Sequence, residues 1–247
     1  MKPQKLLSQV YGFGVVLILW QVLHLFSRSE AVPSPVATLM NCFHLLGSSE
    51  IWIHMGFSLG RLLLAMGFSL LIGISVGLFM GMNPLADQLL APVLYILFPI
   101  PKVALLPVLF IFLGLGEMTK ITLILLIVVF QITIMVRDTI KTIPHSILLS
   151  AQAMGLEGFT LYREVILPCI FKTVLSSTRI SIGTGIAVLF FAENYATAYG
   201  LGFFIMNSWS MIDYLNLYSG IVFLSLMGAL LFSLIDQLEQ RYCQWHY

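Results

Sequence analysis

Residues 58–81 read SLGRLLLAMGFSLLIGISVGLFMG, an apolar run that carries a single charged side chain, Arg61. A helix that crosses a bilayer needs about 20 apolar residues, and this run is long enough. Arg61 lies near the start of the run, where its long side chain can extend to the lipid headgroups. Gly73, Gly77 and Gly81 repeat every four residues, which indicates close packing of helices within the bundle or between two copies. The stretch therefore predicts a closely packed membrane-spanning helix.

The composition of the whole chain agrees with a membrane protein. Of its 247 residues, 59% are hydrophobic and 9% are charged, and the mean hydropathy is +0.99. Soluble domains carry roughly 25% charged residues, so most of this surface is unsuited to water. The formal net charge of +1 gives no argument for a nucleic-acid partner. Three widely separated cysteines indicate neither a disulfide framework nor a zinc site.

Further apolar segments bring the predicted number of membrane crossings to about six. They cover residues 10–27, 88–115, 119–140, 165–190 and 216–236. The first has the basic start of a secretory signal, but it is as long as a full span and is predicted to remain as the first helix. The fold class is therefore all-α, a polytopic membrane helical bundle.

Two wetter stretches interrupt these segments. Residues 28–56 are predicted to include a short helix that lies on the membrane surface. Residues 194–213 are rich in glycine and aromatic residues, and Asn207, Trp209 and Asp213 are predicted to belong to an interfacial loop.

The segment at 88–115 is unusual because it contains four prolines and a lysine: Pro92, Pro99, Pro101, Pro107 and Lys102. Proline removes a backbone donor and kinks a helix. A broken helix persists in a bilayer only where protein or water satisfies the freed backbone groups. This segment is therefore predicted to face protein and a pathway.

The basic residues predict the orientation of six crossings. An even number of crossings puts both chain ends on one side, and basic residues accumulate on the cytoplasmic side. One face carries Arg28, Lys120 and the edge residue Arg61. The face that the two ends share carries more: Lys2, Lys5, Arg137, Lys141, Arg163 and Arg241. Both termini and the polar stretch 137–164 are therefore predicted to be cytoplasmic.

The loop at 142–168 can form a compact knob. Pro144 is tolerated in the first turn of a helix, and Gly155 suits the left-handed position just past a helix end. Apolar residues recur between them at helical spacing, at Ile147, Leu148, Ala151 and Met154. A second short helix is predicted from Glu157 to Glu164. By spacing alone, two interpretations are equal: the knob docks into a groove on a soluble partner, or it rests against the membrane.

Part of this loop resembles the EAA loop of binding-protein-dependent ABC importer permeases. Leu149-Ser150-Ala151-Gln152-Ala153-Met154-Gly155, followed by Val165-Ile166-Leu167-Pro168, is similar to the family pattern Glu-Ala-Ala-x-x-x-Gly and then Ile-x-Leu-Pro at the same interval. Leu149 replaces the usual glutamate, which weakens the case for that residue's salt bridge or cap but does not disturb the shape of the loop. Ser150 and Val165 are milder departures. The resemblance implies that six residues of this loop couple the chain to an ATPase: Leu149, Ser150, Ala151, Gly155, Leu167 and Pro168.

Other motifs resemble the nitrate/sulfonate/taurine branch of these permeases over about residues 55–240. In chain order they are Ser58-Leu59-Gly60-Arg61, Ile100-Pro101-Lys102-Val103-Ala104-Leu105-Leu106-Pro107, Gly114-Leu115-Gly116, Ala192-Glu193 and Gly200-Leu201-Gly202. Their order and spacing together are more specific than any one of them. One departure is Ser177-Thr178-Arg179, which stands where the family has Gly-Leu-Arg.

The resemblance implies a type I ABC importer permease with a defined set of partners. Residues 1–57 would form an N-terminal transmembrane helix and an external amphipathic segment, and residues 58–240 the permease core with a cytoplasmic coupling loop at 142–168. Two copies would form the path across a bacterial inner membrane, as a homodimer or with a related chain. Two ABC ATPase subunits would hold the coupling loops, and a periplasmic or lipid-anchored binding protein would deliver the solute. The implied solute is a small oxyanion or organosulfonate, such as nitrate, a sulfonate or taurine; a vitamin precursor is the alternative within the family.

ATP chemistry is expected on another polypeptide. The chain has no G-x-x-x-x-G-K-[ST] phosphate loop, so ATP and Mg²⁺ would be held by the partner ATPase. The chain itself is predicted to bind no cofactor or metal and to be no enzyme. It also has no H-E-x-x-H and no G-x-S-x-G motif, which leaves an intramembrane enzyme without support. A stand-alone secondary transporter is the other rival, and dependence of uptake on ATP separates the two.

Charged residues inside a membrane are costly and are candidates for function. Lys102, beside Pro101 in the broken segment, and Arg179 are candidates for a pathway that favours an anion, and Glu193 for an outer gate or a docking point for the binding protein. The structural alternatives are that Lys102 snorkels, that Arg179 pairs within the bundle and that Glu193 is wetted at the interface.

Overall fold

The computed structural model describes residues 3–27 and 29–242, with side chains from Tyr11 onward. Lys2, Arg28 and Cys243 lie outside the described residues, as does the side chain of Lys5. The described chain is helical: α1 (Pro3–Ser27), α2 (Pro35–Leu46), α3 (Ser49–Met82), α4 (Pro84–Leu97), α5 (Leu106–Leu113), α6 (Glu117–Lys141), α7 (His145–Ala153), α8 (Gly158–Leu161), α9 (Leu167–Glu193), α10 (Leu201–Ser210) and α11 (Tyr214–Tyr242).

Four stretches of the described chain are long and apolar enough to cross a membrane. They are Ser49–Met82, Glu117–Lys141, Gly158–Glu193 and Tyr214–Tyr242. Helices α4 and α5 together pass the same test but are bent by 82°, so they add a fifth crossing if they form one span. The all-α prediction and the broken third segment are confirmed. In α1 the side chains are described only over Tyr11–Ser27, which is shorter than a full span, so the first crossing stays a prediction.

Helix α6 lies at the centre of the bundle. Its apolar face has no exposed area at Leu123, Ile124, Val128, Ile132 and Val136. It packs between α3 and α9, and α11 covers α9. It runs from Glu117, which bonds to Arg61 of α3, to Lys141, which bonds to Asp87 of α4. We call these two ends of the bundle the α10 end and the α7 end, after the short helix at each.

Glycines allow α3 and α6 to approach closely, as their spacing predicts. A Cβ on Gly73 would lie 2.9 Å from Ile132 Cβ, and one on Gly77 would lie 2.8 Å from the Thr133 carbonyl oxygen. A Cβ on Gly81 would lie 2.7 Å from Ile140 Cδ1. The glycine repeat therefore packs helices within one chain. Gly67, which shares the helix, has nothing within 4 Å of its Cβ position.

The third segment breaks at Pro99 and Pro101, and a lysine caps the carbonyls that this break leaves free. Helix α4 ends at Leu97, and a 3₁₀ turn at Lys102–Leu105 leads into α5. The last carbonyls of a helix have no partner inside it. Lys102 Nζ donates to the Leu97 oxygen at 3.1 Å and to the Phe98 oxygen at 3.0 Å. It also lies 4.5 Å from the centre of the Phe130 ring, so α6 helps to hold the break.

Several boundaries differ from the prediction. Helix α3 begins at Ser49 and runs unbroken through residues 57 and 58, where the sequence suggests a division. Helix α11 continues through the polar residues to Tyr242, beyond the predicted end of its segment. Helix α2 confirms the predicted short helix between the first two segments; it is capped by Ser34 and bonds to α11 through Asn41 and Ser219.

The polar loops differ from the prediction in two ways. The short helix predicted at 157–164 is present, but it does not end before Pro168, because α8 continues through a π turn at Tyr162–Ile166 into α9. The Leu167 amide bonds to the Tyr162 oxygen, and this wider turn directly before Pro168 relieves the crowding that a proline causes. The predicted interfacial loop at 194–213 contains α10, and Asn207 and Trp209 belong to that helix. Helix α10 forms because Phe204, Ile205 and Ser208 are buried on one face of it.

Candidate functional site

The α7 end carries an exposed knob that matches the predicted coupling loop. Gly155 has φ +79°, and its amide bonds to the Gln152 oxygen at 2.9 Å while the Leu156 amide bonds to the Ala151 oxygen at 3.0 Å. This pair of bonds is the Schellman motif, in which glycine takes the left-handed position just past the helix. The helix end predicted at Gly155 is confirmed.

The six residues that the resemblance assigns to coupling lie in and just after this knob. Ala151 is buried and fixes α7 to the rest of the loop, whereas Leu149 is 51% exposed and Ser150 is exposed. Leu167 is 41% exposed at the start of α9, next to Pro168. A groove of about 280 Å³ separates α7 from Val165. Apolar side chains at this end project outward, at Ile147, Leu149, Met154 and Phe159.

The α10 end holds a buried ionic network that corrects the expectation for Arg61. Arg61 is 3% exposed and does not extend to headgroups. Its Nη2 donates to Glu117 Oε1 at 2.7 Å, and its Nη1 donates to Glu193 Oε1 at 2.6 Å. The same Nη1 donates to the Tyr199 carbonyl oxygen at 2.7 Å. A buried charge is tolerated only when it is paired and hydrogen-bonded, and these contacts provide the pairing.

Glu193 has no exposed area, so the expectation that it is wetted at the interface is wrong. It caps the start of α10: its Oε2 accepts from the Gly202 amide at 2.8 Å, and Ser58 Oγ donates to the same carboxylate at 2.8 Å. Ser58 Oγ in turn accepts from the Leu201 amide at 2.7 Å, and His54 Nδ1 accepts from the Gly200 amide at 3.0 Å. Side chains of α3 and α9 thus satisfy the free amides at the start of α10.

This network explains the Gly200-Leu201-Gly202 motif. Gly200 has φ +139°, and a Cβ there would lie 2.5 Å from Glu193 Cδ. A Cβ on Gly202 would lie 2.8 Å from Glu193 Cβ. Because the Glu193 side chain occupies the space that a Cβ would need at both positions, the two glycines and Glu193 form one unit.

The remaining candidates belong to separate clusters. Lys102 caps the broken segment, as described above, and Pro101 is exposed beside it. Arg179 pairs with Asp236 and Glu239 of α11, with 2.6 Å between its Nη2 and Glu239 Oε2. The structure brings Glu193 together with Arg61, and it brings neither Lys102 nor Arg179 to them. It leaves the roles of these residues in transport as predictions.

The partners of Glu193 and Arg61 in this network, His54, Ser58 and Glu117, do not follow from the sequence patterns described above. A signal was available in the predicted segments. Arg61 and Glu117 lie at the starts of two segments that cross in the same direction, and Glu193 follows the end of a segment that crosses in the opposite direction. Those ends therefore meet on one side of the membrane. Opposite charges placed there indicate an ion pair.

Comparisons with known proteins agree on the family. Residues 69–243 match the family described as "Binding-protein-dependent transport system inner membrane component". The chain is 30% identical to the taurine transport system permease protein TauC of Escherichia coli, over 80% of this chain and 72% of that one. It is 25% identical to a protein of Bacillus subtilis named as an aliphatic sulfonates transport permease, SsuC, over 94% of this chain and 85% of that one.

A solved structure shares the fold. A chain of the MetNI methionine ABC transporter, crystallised in inward facing conformations, superposes with a TM-score of 0.65 at 20% identity. The match covers 79% of this chain and 99% of that chain. At this identity the likeness concerns the fold alone.

Proposed function

This chain belongs to the family of inner membrane components of binding-protein-dependent transport systems, and on that premise we propose that it carries a small organosulfonate, of the taurine or alkanesulfonate kind, into the cell. It is the membrane-spanning permease of an ABC importer. Hydrolysis of ATP belongs to separate ATPase subunits that bind ATP and Mg²⁺, and the permease itself performs no catalysis.

The solute is inferred from the similarity to the taurine and sulfonate permeases. The observation that supports coupling to an ATPase is the exposed α7 knob at the end of the central helix α6. Its apolar side chains at Ile147, Leu149 and Met154 face outward, and its end is fixed by Gly155. We infer that α7 inserts into a cleft on each ATPase, so that closure of the ATPases on ATP moves the knob. Leu149 at the usual glutamate position would make this contact apolar rather than ionic.

Two copies of the permease would enclose the pathway. The broken segment exposes apolar residues, with Ile100 at 40%, Val103 at 36% and Ile111 at 80% exposure, next to backbone that is not helical. Non-helical backbone at membrane depth requires cover by protein or a water-filled cavity. A second copy, related by twofold symmetry, supplies both the cover and the cavity. Pro101 and Lys102 would then line the pathway, and Lys102 would favour an anion. Arg179, which pairs with Asp236 and Glu239, would be the other candidate for a group that favours an anion in the pathway.

The α10 end would form the outer gate. Helix α10 is held by Glu193 and Ser58, and exposed side chains beside it, Trp209 and Met211, offer a surface to an external binding protein. In this arrangement both termini are cytoplasmic and the α7 knob faces the ATPases. The protein is a multi-pass component of the bacterial inner membrane.

Reconstitution tests this function directly. The permease, its ATPase and its binding protein would be placed in liposomes, and uptake of labelled taurine, an alkanesulfonate, nitrate and a pyrimidine vitamin precursor would be compared. We expect uptake of a sulfonate that requires both ATP and the binding protein. Uptake without ATP would indicate a secondary transporter, and preferential uptake of the pyrimidine would overturn the assignment of the solute.

A further inference from the structure

A second ionic cluster, at the α7 end, joins the broken segment to the central helix. Asp87 lies in the first turn of α4, and its side chain is 10% exposed. It accepts hydrogen bonds from Arg137 and Lys141, which lie in the last two turns of α6. Acidic residues suit the start of a helix and basic residues suit its end, so each side also matches the dipole of its own helix.

Arg137 is held by two residues of α4. Besides Asp87, its Nη1 donates to the Tyr95 hydroxyl at 3.1 Å, and its guanidinium carbon lies 5.7 Å from the centre of the Tyr95 ring. Arg137 is 8% exposed, so these contacts are shielded from water and salt. The fork of a guanidinium on a carboxylate is the most directional of ion pairs, and it constrains orientation as well as distance.

The cluster lies between the knob and the break. On one side, α6 passes into α7 through Thr142–Pro144, and the Thr142 amide bonds to the Asp138 oxygen at 3.0 Å, which continues the helical hydrogen bonding. On the other side, α4 ends at the break that Lys102 caps. The main helical neighbour of α4 is α3, so Asp87 and Tyr95 supply its polar attachment to α6.

We propose that Asp87 is a positioning residue that transmits the displacement of the α7 knob to the broken segment. When the knob moves, the end of α6 moves with it, and the Asp87–Arg137–Lys141 cluster makes α4 follow. Packed helices joined by ion pairs can carry coupling between distant sites in this way. This inference rests on the proposed function and adds the path by which the ATPase would act on the pathway.

The test separates coupling from folding. The complete transporter is reconstituted with Asp87→Asn, with the conservative variant Asp87→Glu, and with Asp138→Asn as matched control. Asp138 bonds to the same Arg137, with 2.7 Å between Nη1 and Oδ1, but it lies on α6 itself and joins no second helix. Lys141→Gln is included because Lys141 is 42% exposed and its loss leaves Arg137 paired.

The first measurement is the amount of taurine taken up per ATP hydrolysed. The second is the distance between spin labels at Ile111 of α5 and Leu230 of α11, compared before and after addition of ATP and vanadate. Both side chains are exposed, at 80% and 64%. In Asp87→Asn we expect the taurine taken up per ATP hydrolysed to fall about tenfold, which is the size of effect that single mutations in a coupling network can have. ATP hydrolysis should be retained, and the change in the distance between the labels should be lost. Lys141→Gln should show a smaller loss, whereas Asp87→Glu and Asp138→Asn should stay near wild type.

The outcomes are distinct. If Asp87→Asn is not inserted stably, Lys141→Gln decides, and an unchanged ratio and distance change in that variant overturn the inference. An equal loss in Asp138→Asn also overturns it, because the effect would then follow the charge around Arg137 rather than the link between helices. If the wild-type complex shows neither uptake nor a distance change with ATP, the proposed function fails instead.

Discussion

Oε1 of Glu193 accepts a hydrogen bond from Nη1 of Arg61 at 2.6 Å, although the two residues lie 132 positions apart in the chain. Neither side chain has more than 3% exposure. The pair joins α3 to α9 and brings in the start of α10 through the same carboxylate. The α10 end is therefore held by one buried ionic unit rather than by apolar packing alone.

Replacing Glu193 with glutamine should destabilise the protein substantially. The substitution keeps the shape of the side chain but removes one of the two carboxylates that pair with the buried Arg61. Removal of one partner of a buried ion pair costs about 3–5 kcal/mol of stability. Glu117→Gln is the matched control, because Glu117 bonds to the same arginine but is 48% exposed and should cost about 1 kcal/mol or less. Thermal unfolding of the purified protein in detergent measures both. Equal losses would mean that Glu193 has no special role in the network.

Gly200→Ala should detach the start of α10. The added Cβ would meet Glu193 Cδ at 2.5 Å, and φ of +139° is strained for alanine. Overpacking of this kind costs about 1–3 kcal/mol, which would speed exchange of the Leu201 and Gly202 amides about tenfold or more. Hydrogen–deuterium exchange followed by mass spectrometry detects the change. Gly183→Ala, whose Cβ would lie at an ordinary 3.6 Å from Phe232, should leave exchange in α10 unchanged, and an equal effect of both variants would contradict the mechanism.

Gly155→Val should uncouple ATP hydrolysis from transport while membrane insertion stays intact. Nothing lies within 4 Å of the Cβ position, so the damage comes from the left-handed φ of +79°, which costs a β-branched residue about 1–2 kcal/mol or more. Asparagine tolerates this conformation, so Gly155→Asn should retain most of the coupling. The measurement is uptake per ATP hydrolysed in liposomes. Normal transport by the valine variant would remove the role of the knob.

The orientation of the bundle can be checked by labelling single cysteines. Cys42, Cys169 and Cys243 are first replaced by serine, and a single cysteine is then introduced as Leu149→Cys in the α7 knob or as Trp209→Cys in α10. The native side chains at these two positions are 51% and 57% exposed. A membrane-impermeant maleimide should label position 209 in intact cells. It should label position 149 only in inside-out vesicles. The reverse pattern would place the knob outside the cell and refute its contact with an ATPase.

Local sequence predicts the helices well where one physical rule dominates. The apolar run at 58–81 specifies a spanning helix because the bilayer requires about 20 apolar residues in sequence. The glycine repeat at Gly73, Gly77 and Gly81 specifies close packing, and Gly155 specifies a helix end, because each is a property of a few neighbouring residues. Pro99 and Pro101 likewise predict the break at which they lie, whereas Pro92 is accommodated within α4 and Pro107 in the first turn of α5.

Prediction failed where a neighbour distant in sequence decides the outcome. The stretch that contains α10 has the composition of a loop, but contacts with α9 and α11 make it a helix with a buried face. Arg61 has the position of a snorkelling residue, but Glu117 and Glu193 offer it a better partner than lipid headgroups do.

By itself, the sequence determined that this protein is a helical membrane bundle with a knob between its fourth and fifth apolar segments, because apolar length, proline and glycine act locally. Its identity as a permease rests on the resemblance of its motifs to the family and on the family match. Only the tertiary structure decided which charges are paired: Arg61 with Glu193 at one end, and Asp87 with Arg137 at the other. The physical reason is that a charge in a low-dielectric bundle is tolerated when its counter-charge lies within hydrogen-bonding distance. That distance depends on how helices far apart in the chain pack together.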